Sequence, residues 1–316
     1  MNDVWYALSD DGSDINPARF YTLRIAISST GIGPPELLDV VTLLQPDGTP
    51  YPSRAQGGTV PDPESIRFRP QTRTLLWTSE GGVQQGLDPF VREARVDGTH
   101  VREFALPDMF RAVPEGNTGP RHNLTFEGMG LTPDGQTVWV AMEAALKQDG
   151  PVPRVGAPGA PCRFTLFDTV SGQPMRQIAY VPDAIAHPPI PPTAFADNGV
   201  SEVLMRDEHR MLVLERAYMS GVGNSLRVYQ IDTRQGSDTL AIANLMATAF
   251  EPTPKTLVAD FADFADLGLS RLDNTEGMAW GPRLPNGRRT LVFVSDDNFN
   301  PQQVTQFLAF EFQEEE

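Results

Sequence analysis

Short apolar runs recur along the chain, and five of them end in an acidic residue. These runs occupy residues 4–11, 75–80, 138–143, 211–215 and 291–297. Four of them follow an upstream glutamate, with turn-forming residues such as Pro133-Asp134-Gly135 midway between the two acids. Two antiparallel strands joined by such a turn place residues equidistant from it side by side. The pattern therefore predicts repeated β-hairpins that each carry two carboxylates near the open end. The predicted pairs are Glu64 with Glu80, Glu127 with Glu143, Glu202 with Glu215, and Glu276 with Asp296.

Further β-rich runs separated by turn residues follow most of these hairpins, for example residues 90–96 and 101–106 after Glu80. Four short strands per repeating unit are typical of the blades of a β-propeller. We therefore predict an all-β fold, a β-propeller of five or six four-stranded blades that forms one domain over residues 1–316. The first apolar run has no upstream partner, so we expect the first blade to lack its innermost strand and the start of the chain to be shortened.

The paired acids would all open an innermost strand or close the next one, which places them at the same end of the central channel. Crowded carboxylates raise one another's pKa or recruit a cation, and a hard divalent ion such as Ca²⁺ takes six to eight oxygen ligands. No two histidines show the spacing of a zinc site. The candidate ligands of a divalent cation, most simply Ca²⁺, are Glu64, Glu80, Asn123, Glu127, Glu143, Glu215, Asn274, Glu276, Asp296 and Asp297.

A second interpretation of the same acids stays open, because repeated polar residues in propellers also tie one blade to the next by hydrogen bonds. Glu127 and Glu276 favour a functional site, since both stand in Glu-Gly-Met and the glycine permits close backbone approach. Together with Asp296 they are the candidate catalytic residues. Glu202 favours a structural role, because Val203 replaces that glycine.

Three arginines flank the acids and are candidate substrate-binding residues: Arg121, Arg216 and Arg271. Guanidinium groups bind phosphate and carboxylate oxygens, and they also neutralise neighbouring acids. Both roles are compatible with the sequence.

The composition narrows the range of partners. A net charge of −16 and a sequence pI near 4.6 argue against unaided binding to nucleic acid or to an anionic membrane surface. The single cysteine, Cys162, excludes an intrachain disulfide framework. Neither a signal peptide nor an apolar run long enough to span a membrane is recognisable. We expect a monomer that acts on a small molecule.

Several blocks of the sequence resemble one protein family over essentially the whole chain. The C-terminal block is the most specific and comprises residues 274–282, 287–291 and 295–299. Arg121-His122-Asn123, Asp62-Pro63-Glu64 and Leu214-Glu215-Arg216 are similar to its other blocks, in order. The family is the phytase-like domain described as esterase-like activity of phytase.

This resemblance implies a bacterial propeller, usually exported to the periplasm or beyond, that hydrolyses phosphate or other esters. Calcium-dependent propeller phytases hold phosphate through bound cations, which an acidic rim would also permit. The chain has no cluster of Lys and Arg that would grip phytate directly. Two alternatives remain: a lactonase or sugar-acid hydrolase of the calcium-propeller type, and a non-catalytic propeller that binds a ligand or protein.

Overall fold

The protein is an all-β propeller of five blades arranged in a ring. The computed structural model describes residues 4–267, 269 and 271–314. Blade 1 contains β1 (Val4–Leu8), β2 (Arg19–Arg24) and β5 (Glu36–Thr42), with the small hairpin β3 (Ile27–Ser28) and β4 (Gly31–Ile32) inserted. Blade 2 contains β6 (Pro63–Arg69), β7 (Thr74–Ser79), β8 (Phe90–Arg95) and β9 (His100–Glu103).

The remaining blades follow the same antiparallel order. Blade 3 contains β10 (Phe126–Leu131), β11 (Thr137–Met142), β12 (Cys162–Asp168) and β13 (Pro174–Tyr180). Blade 4 contains β14 (Ala196–Met205), β15 (Arg210–Met219), β16 (Gly223–Asp232) and β17 (Lys255–Asp260). Blade 5 contains β18 (Asn274–Arg283), β19 (Arg289–Asp296) and β20 (Phe307–Phe312).

Helical structure in the described residues is confined to short 3-10 segments. They are Val83–Gln85, Asp108–Phe110, Lys147–Asp149, Leu245–Ala247 and Phe261–Leu267. Among the same residues, none of these segments has the length and apolar character needed to cross a membrane.

The innermost strands β6, β10, β14 and β18 line the central channel, since each lies against the innermost strand of the neighbouring blade. In blade 1, strand β1 pairs only with β2, and it lies against β6 as β11 lies against β14. β1 is therefore a second strand, and the described part of blade 1 contains no innermost one, as predicted. The ring closes where β20 meets β4.

Apolar side chains fill the spaces between adjacent blades. Three hydrophobic clusters join blades 1 and 2, blades 2 to 4, and blades 4 and 5. Trp77, only 1% exposed, packs edge-on against Phe90 and Tyr51, with ring centroids 5.0 and 5.6 Å away. Each such aromatic side chain removes a large apolar area from water, which holds neighbouring blades together.

A buried ion pair fills the channel between the innermost strands. Arg67 on β6 contacts Glu202 on β14 at 2.7 Å and donates to the carbonyls of Val203 at 3.0 Å and Met278 at 3.3 Å. Glu202 also accepts from the Met129 backbone N–H at 3.0 Å. This pair ties blades 2, 3, 4 and 5 together, in line with the structural role that the sequence favoured for Glu202.

Candidate active site at the channel mouth

A cavity of about 1190 Å³ opens at the end of the channel where β6, β10 and β18 begin. Its lining includes acidic side chains from all five blades. They are Asp10, Asp62, Glu64, Glu127, Glu143, Asp197, Asp273 and Glu276. Acids far apart in the sequence thus converge on a single opening, as the hairpin argument anticipated.

The backbone turns these acids inward by irregular strand pairing. The β6–β7 register shifts between Pro63 and Ile66, around Glu64. The β10–β11 register shifts around Glu127, and the β18–β19 register shifts at Glu276. β-Bulges of this kind re-aim side chains and are frequent beside functional sites.

The glycine after Glu127 is required by close contact between blades. A Cβ at Gly128 would lie 2.6 Å from the backbone nitrogen of Val203, which real side chains do not tolerate. A Cβ at Gly277, after Glu276, would lie 2.5 Å from a methyl group of Val294. Both glycines therefore serve the close approach that the Glu-Gly-Met motif predicted.

Three overlapping groups of carboxylates lie close enough to share a cation. In each group, one oxygen from every residue lies within 4.8 Å of the others. The groups are Asp10, Glu276 and Asp296; Asp10, Asp62 and Glu64; and Glu64, Glu80 and Glu127. Because Asp10 and Glu64 each belong to two groups, the seven residues form one continuous run across blades 5, 1, 2 and 3.

Removal from water dominates the protonation of this run. It raises the pKa of Glu64, Glu80 and Glu127 well above the usual value, and neighbouring carboxylates raise it further. The pKa of Asp10 is raised well above its usual value for the same two reasons. In the absence of a bound ion, these raised pKa values favour the protonated forms of the four carboxyl groups.

Arg216 is a basic side chain that lines the cavity beside two of its acids. Its Nη2 lies 3.4 Å from Glu143 and 3.5 Å from Glu276, so it bridges blades 3 and 5 from its place in blade 4. Loss of hydration raises the pKa of both glutamates to about 7, although Arg216 opposes the shift. Arg216 thus neutralises acids, one of the two roles considered for it.

Three other residues that the sequence predicted as cation ligands contribute to the cavity less directly. Asn274 donates from Nδ2 to Glu276 at 2.8 Å and orients that carboxylate. Asn123 lines the cavity with an exposed side chain and a positive φ of 54°. Asp297 instead accepts from the Phe299 N–H at 2.9 Å and from Thr305 at 3.0 Å, so it shapes the loop after β19.

Glu215 does not join the acid cluster, which corrects the sequence-based expectation. Its carboxylate accepts from Tyr180 at 2.6 Å, from the Asp183 N–H at 2.9 Å and from Asn198 at 2.9 Å, and it pairs with Lys255 at 2.5 Å. Both oxygens are fully used. Glu215 therefore links blades 3 and 4 and has no capacity left to bind a cation.

A one-residue offset in blade 4 explains this difference. Val200 pairs with Glu215 and Gly199 with Arg216, whereas the matching pairs in blade 5 are Thr275 with Ser295 and Asn274 with Asp296. Arg216 therefore occupies the position of Asp296. Since successive strand residues point to opposite faces, an offset of one residue moves the acid away from the cavity.

Two of the three candidate arginines are held by other groups. The guanidinium of Arg121 donates to the carbonyls of Ala145 at 3.0 Å and Gly150 at 2.6 Å, away from the cavity. Arg271 lines the cavity but contacts Asp273 at 2.7 Å. Substrate binding by Arg121 is not compatible with this position.

The sequence profile of the Phytase-like family, described as "Esterase-like activity of phytase", matches residues 1–299. The chain belongs to this family. None of the curated proteins matches this phytase-like chain.

Solved structures with a similar arrangement are distant. The catalytic domain of the Coprinopsis cinerea GH62 α-L-arabinofuranosidase is 11% identical, with a TM-score of 0.42 over 97% of this chain and 88% of its own. The Pseudomonas aeruginosa periplasmic gluconolactonase PpgL is 14% identical, with a TM-score of 0.36 over 98% and 82%. Kuenenia stuttgartiensis hydrazine synthase is 11% identical, with a TM-score of 0.36 over 93% of this chain, which spans 57% of that protein. These scores are low, so no property of the three proteins is transferred to the phytase-like chain.

Two members of the carboxylate run were missed as ligands by the sequence reasoning. Asp10 ends the first apolar run, as Glu80 and Glu143 end theirs, and that position was the available signal. Its neighbour Asp11 is structural and pairs with Arg19 at 2.8 Å. Asp62 stands on the loop before β6, where hairpin symmetry gives no prediction.

The donor set of the phytase-like cavity fits a hard divalent cation. All ligands in the three groups are carboxylate oxygens, the type that Ca²⁺ and Mg²⁺ prefer. Glu127 is only 6% exposed, and within the described residues no lysine or backbone N–H donates to its carboxylate. A buried carboxylate without such a partner is costly unless it is protonated or bound to a cation.

Proposed function

We propose that this phytase-like propeller hydrolyses an ester bond of a small molecule at the channel mouth, with the help of a divalent cation. Glu64, Glu80 and Glu127 would hold the cation, with Asp10 and Asp62 beside them. Ca²⁺ fits best, because a site rich in carboxylates with room for several ligands suits a large, flexible coordination shell. When bound, the cation supplies Lewis-acid polarisation of the ester oxygen and a lower pKa for water.

The chain's own residues have separate parts in this scheme. Glu276 faces the cavity beside Asp10 and Asp296, and it is the residue that would accept or return the proton of the attacking water. Asn274 and Arg216 fix the orientation of its carboxylate through contacts at 2.8 and 3.5 Å. Asp296, held by the Asn298 N–H at 2.8 Å, supports Glu276 from the other side.

The observation that carries the proposal is the buried carboxyl group of Glu127, which lies against other carboxyl groups within a run of seven acids. A structural network would give these groups donors, as it does for Glu202 and Glu215. In the cavity, the backbone N–H groups of Thr125 and Asn298 donate to Glu80 and Asp296, but among the described residues no backbone N–H donates to the carboxylates of Glu64 and Glu127. Their arrangement is therefore costly for folding and suits a bound cation.

Calorimetric titration with CaCl₂ and with MgCl₂ tests the cation site directly, after treatment with EDTA. We expect Ca²⁺ to bind and to raise the unfolding temperature, since a ligand at 100 times its Kd adds about 2.7 kcal/mol of stability. Glu127→Gln should weaken binding by at least about tenfold. Glu208→Gln, which removes an exposed acid on a distant turn, is the matched control and should bind as wild type.

Hydrolysis is then measured on three substrates: a linear aryl ester, a sugar lactone and an aryl phosphate. Activity on at least one of them that disappears with EDTA and returns with Ca²⁺ supports the proposal. Activity unchanged in EDTA would contradict it. Cation binding without hydrolysis of any of the three would instead assign a ligand-binding role to the propeller.

A further inference from the structure

Two exposed aromatic side chains stand at the rim of the acidic cavity on blade 4. Phe195 is 63% exposed and Tyr218 is 37% exposed. Their ring centroids lie 6.3 Å apart with an angle of 35° between the ring planes. Both line the same cavity as Glu143 and Arg216. Aromatic side chains that line a cavity are typical of small-molecule binding sites.

Strand geometry connects these rings to the acid cluster. Tyr218 and Arg216 are two residues apart on β15, so they lie on one face with their Cα atoms about 7 Å apart. Their partners on β14 are Asp197 and Gly199. The absence of a side chain at Gly199 makes room for Glu143, since a Cβ there would lie 2.5 Å from its Cγ. A molecule stacked on the rings would therefore extend directly to Arg216 and Glu143.

The charges of the cavity disfavour a highly anionic substrate. Eight acidic side chains line it, and its two arginines already contact acids: Arg216 lies between Glu143 and Glu276, and Arg271 pairs with Asp273. Neither arginine is therefore free to bind a phosphate group. A polyphosphate would meet strong repulsion, whereas an uncharged ring would gain apolar contact with Phe195 and Tyr218.

We infer that Phe195 and Tyr218 form a stacking platform for the ring of the substrate, and that the substrate is an uncharged ester with an aromatic or other flat ring. This inference rests on the proposed hydrolysis and names its substrate class. The ring lies on the platform, and the ester group points toward Arg216 and the acid run. Both residues are specificity determinants and take no part in bond breaking.

Binding of 2-naphthol, followed by its fluorescence, tests the platform independently of hydrolysis. With Ca²⁺ present, Phe195→Ala and Tyr218→Ala should each weaken binding about tenfold, which corresponds to about 1.4 kcal/mol. Tyr218→Phe keeps the ring and should bind as wild type. Phe299→Ala removes an aromatic side chain that is 46% exposed but lies outside the cavity lining, so it is the control and should have no effect.

Hydrolysis of 2-naphthyl acetate gives the second measurement. Phe195→Ala should raise KM about tenfold with kcat changed less than twofold, and it should leave kcat/KM for ethyl acetate nearly unchanged. Naphthol binding equal in wild type and Phe195→Ala would overturn the platform, even if the protein is a cation-dependent esterase. Cleavage of phytate with a kcat/KM above that for 2-naphthyl acetate would overturn the substrate class. Naphthol binding that depends on Phe195, without any ester cleavage, would support the platform while refuting the proposed function.

Discussion

Replacing Arg67 with methionine tests whether the channel pair holds the blades together. The side chain of Arg67 is 15% exposed and that of Glu202 is 3% exposed, so the 2.7 Å contact is shielded from water. Methionine keeps much of the apolar stem and removes the charge. Glu202 would keep the Met129 and Val203 N–H groups as donors, at 3.0 and 2.9 Å, but would lose its counter-ion. Breaking a buried pair on one side costs about 3–5 kcal/mol.

Protonation of Glu202 limits this cost and gives it a characteristic pH dependence. Burial already raises the pKa of Glu202 above the usual value, despite the opposing effect of Arg67. In the variant, Glu202 would fold as a neutral acid, which at pH 7 costs about 3.7 kcal/mol relative to an unfolded pKa near 4.3. At pH 5 the same cost is only about 1 kcal/mol. Destabilisation by Arg67→Met should therefore shrink by up to about 2.7 kcal/mol between pH 7 and pH 5, and by less to the extent that the raised pKa of Glu202 already makes the wild type depend on pH.

Urea unfolding at both pH values, at saturating Ca²⁺, measures these differences. Arg24→Met is the matched control, because Arg24 and Glu36 form a surface pair whose side chains are 52% and 61% exposed. It should change stability by no more than about 1 kcal/mol at either pH. If Arg67→Met lowers the free energy of unfolding by the same amount at pH 5 and pH 7, the assigned role of Glu202 is refuted. A decrease of less than about 1 kcal/mol at pH 7 would refute it as well.

Three further predictions concern the cavity and the blade contacts. Gly128→Ala should lower the free energy of unfolding in urea by about 1–3 kcal/mol, because the new Cβ would lie 2.6 Å from the backbone nitrogen of Val203. Gly130→Ala should lower it less, because the Cβ there would face the flexible side chain of Met205 at 3.3 Å. Lys255→Met should cost about 2–3 kcal/mol, less than a fully unpaired charge because Glu215 keeps other donors; a change under 0.5 kcal/mol would contradict its role. In EDTA, the unfolding temperature should fall as the pH rises from 5 to 8. The reason is that Glu143 and Glu276, whose pKa in the folded protein is about 7, hold protons that the unfolded chain releases. An unfolding temperature that stays constant or rises over this pH range would contradict this prediction.

The sequence predicted the blades and the side of the ring that carries the acids, because strand alternation and turn residues repeat visibly along the chain. It did not predict the partners of individual acids. Whether Glu143 or Glu215 faces the cavity depends on a register offset of one residue, which leaves the apolar pattern unchanged. The sequence did not indicate the role of Arg67 either, because a side chain that fills the channel is recognisable only when the positions of the surrounding strands are known.

The offset in blade 4 also accounts for the asymmetry of the cavity. Glu64, Glu127 and Glu276 each lie within a register shift of an innermost strand, whereas the shift in β14 falls on Ser201. Ser201 binds the Thr275 carbonyl at 3.1 Å, and the next residue, the glutamate of this blade, turns into the channel toward Arg67. The same offset in β15 brings Arg216 to the cavity in place of an acid. Blade 4 therefore contributes a positive charge and an aromatic rim to a ring of carboxylates, so the proposed cation and the proposed substrate ring would lie at different sides of one opening.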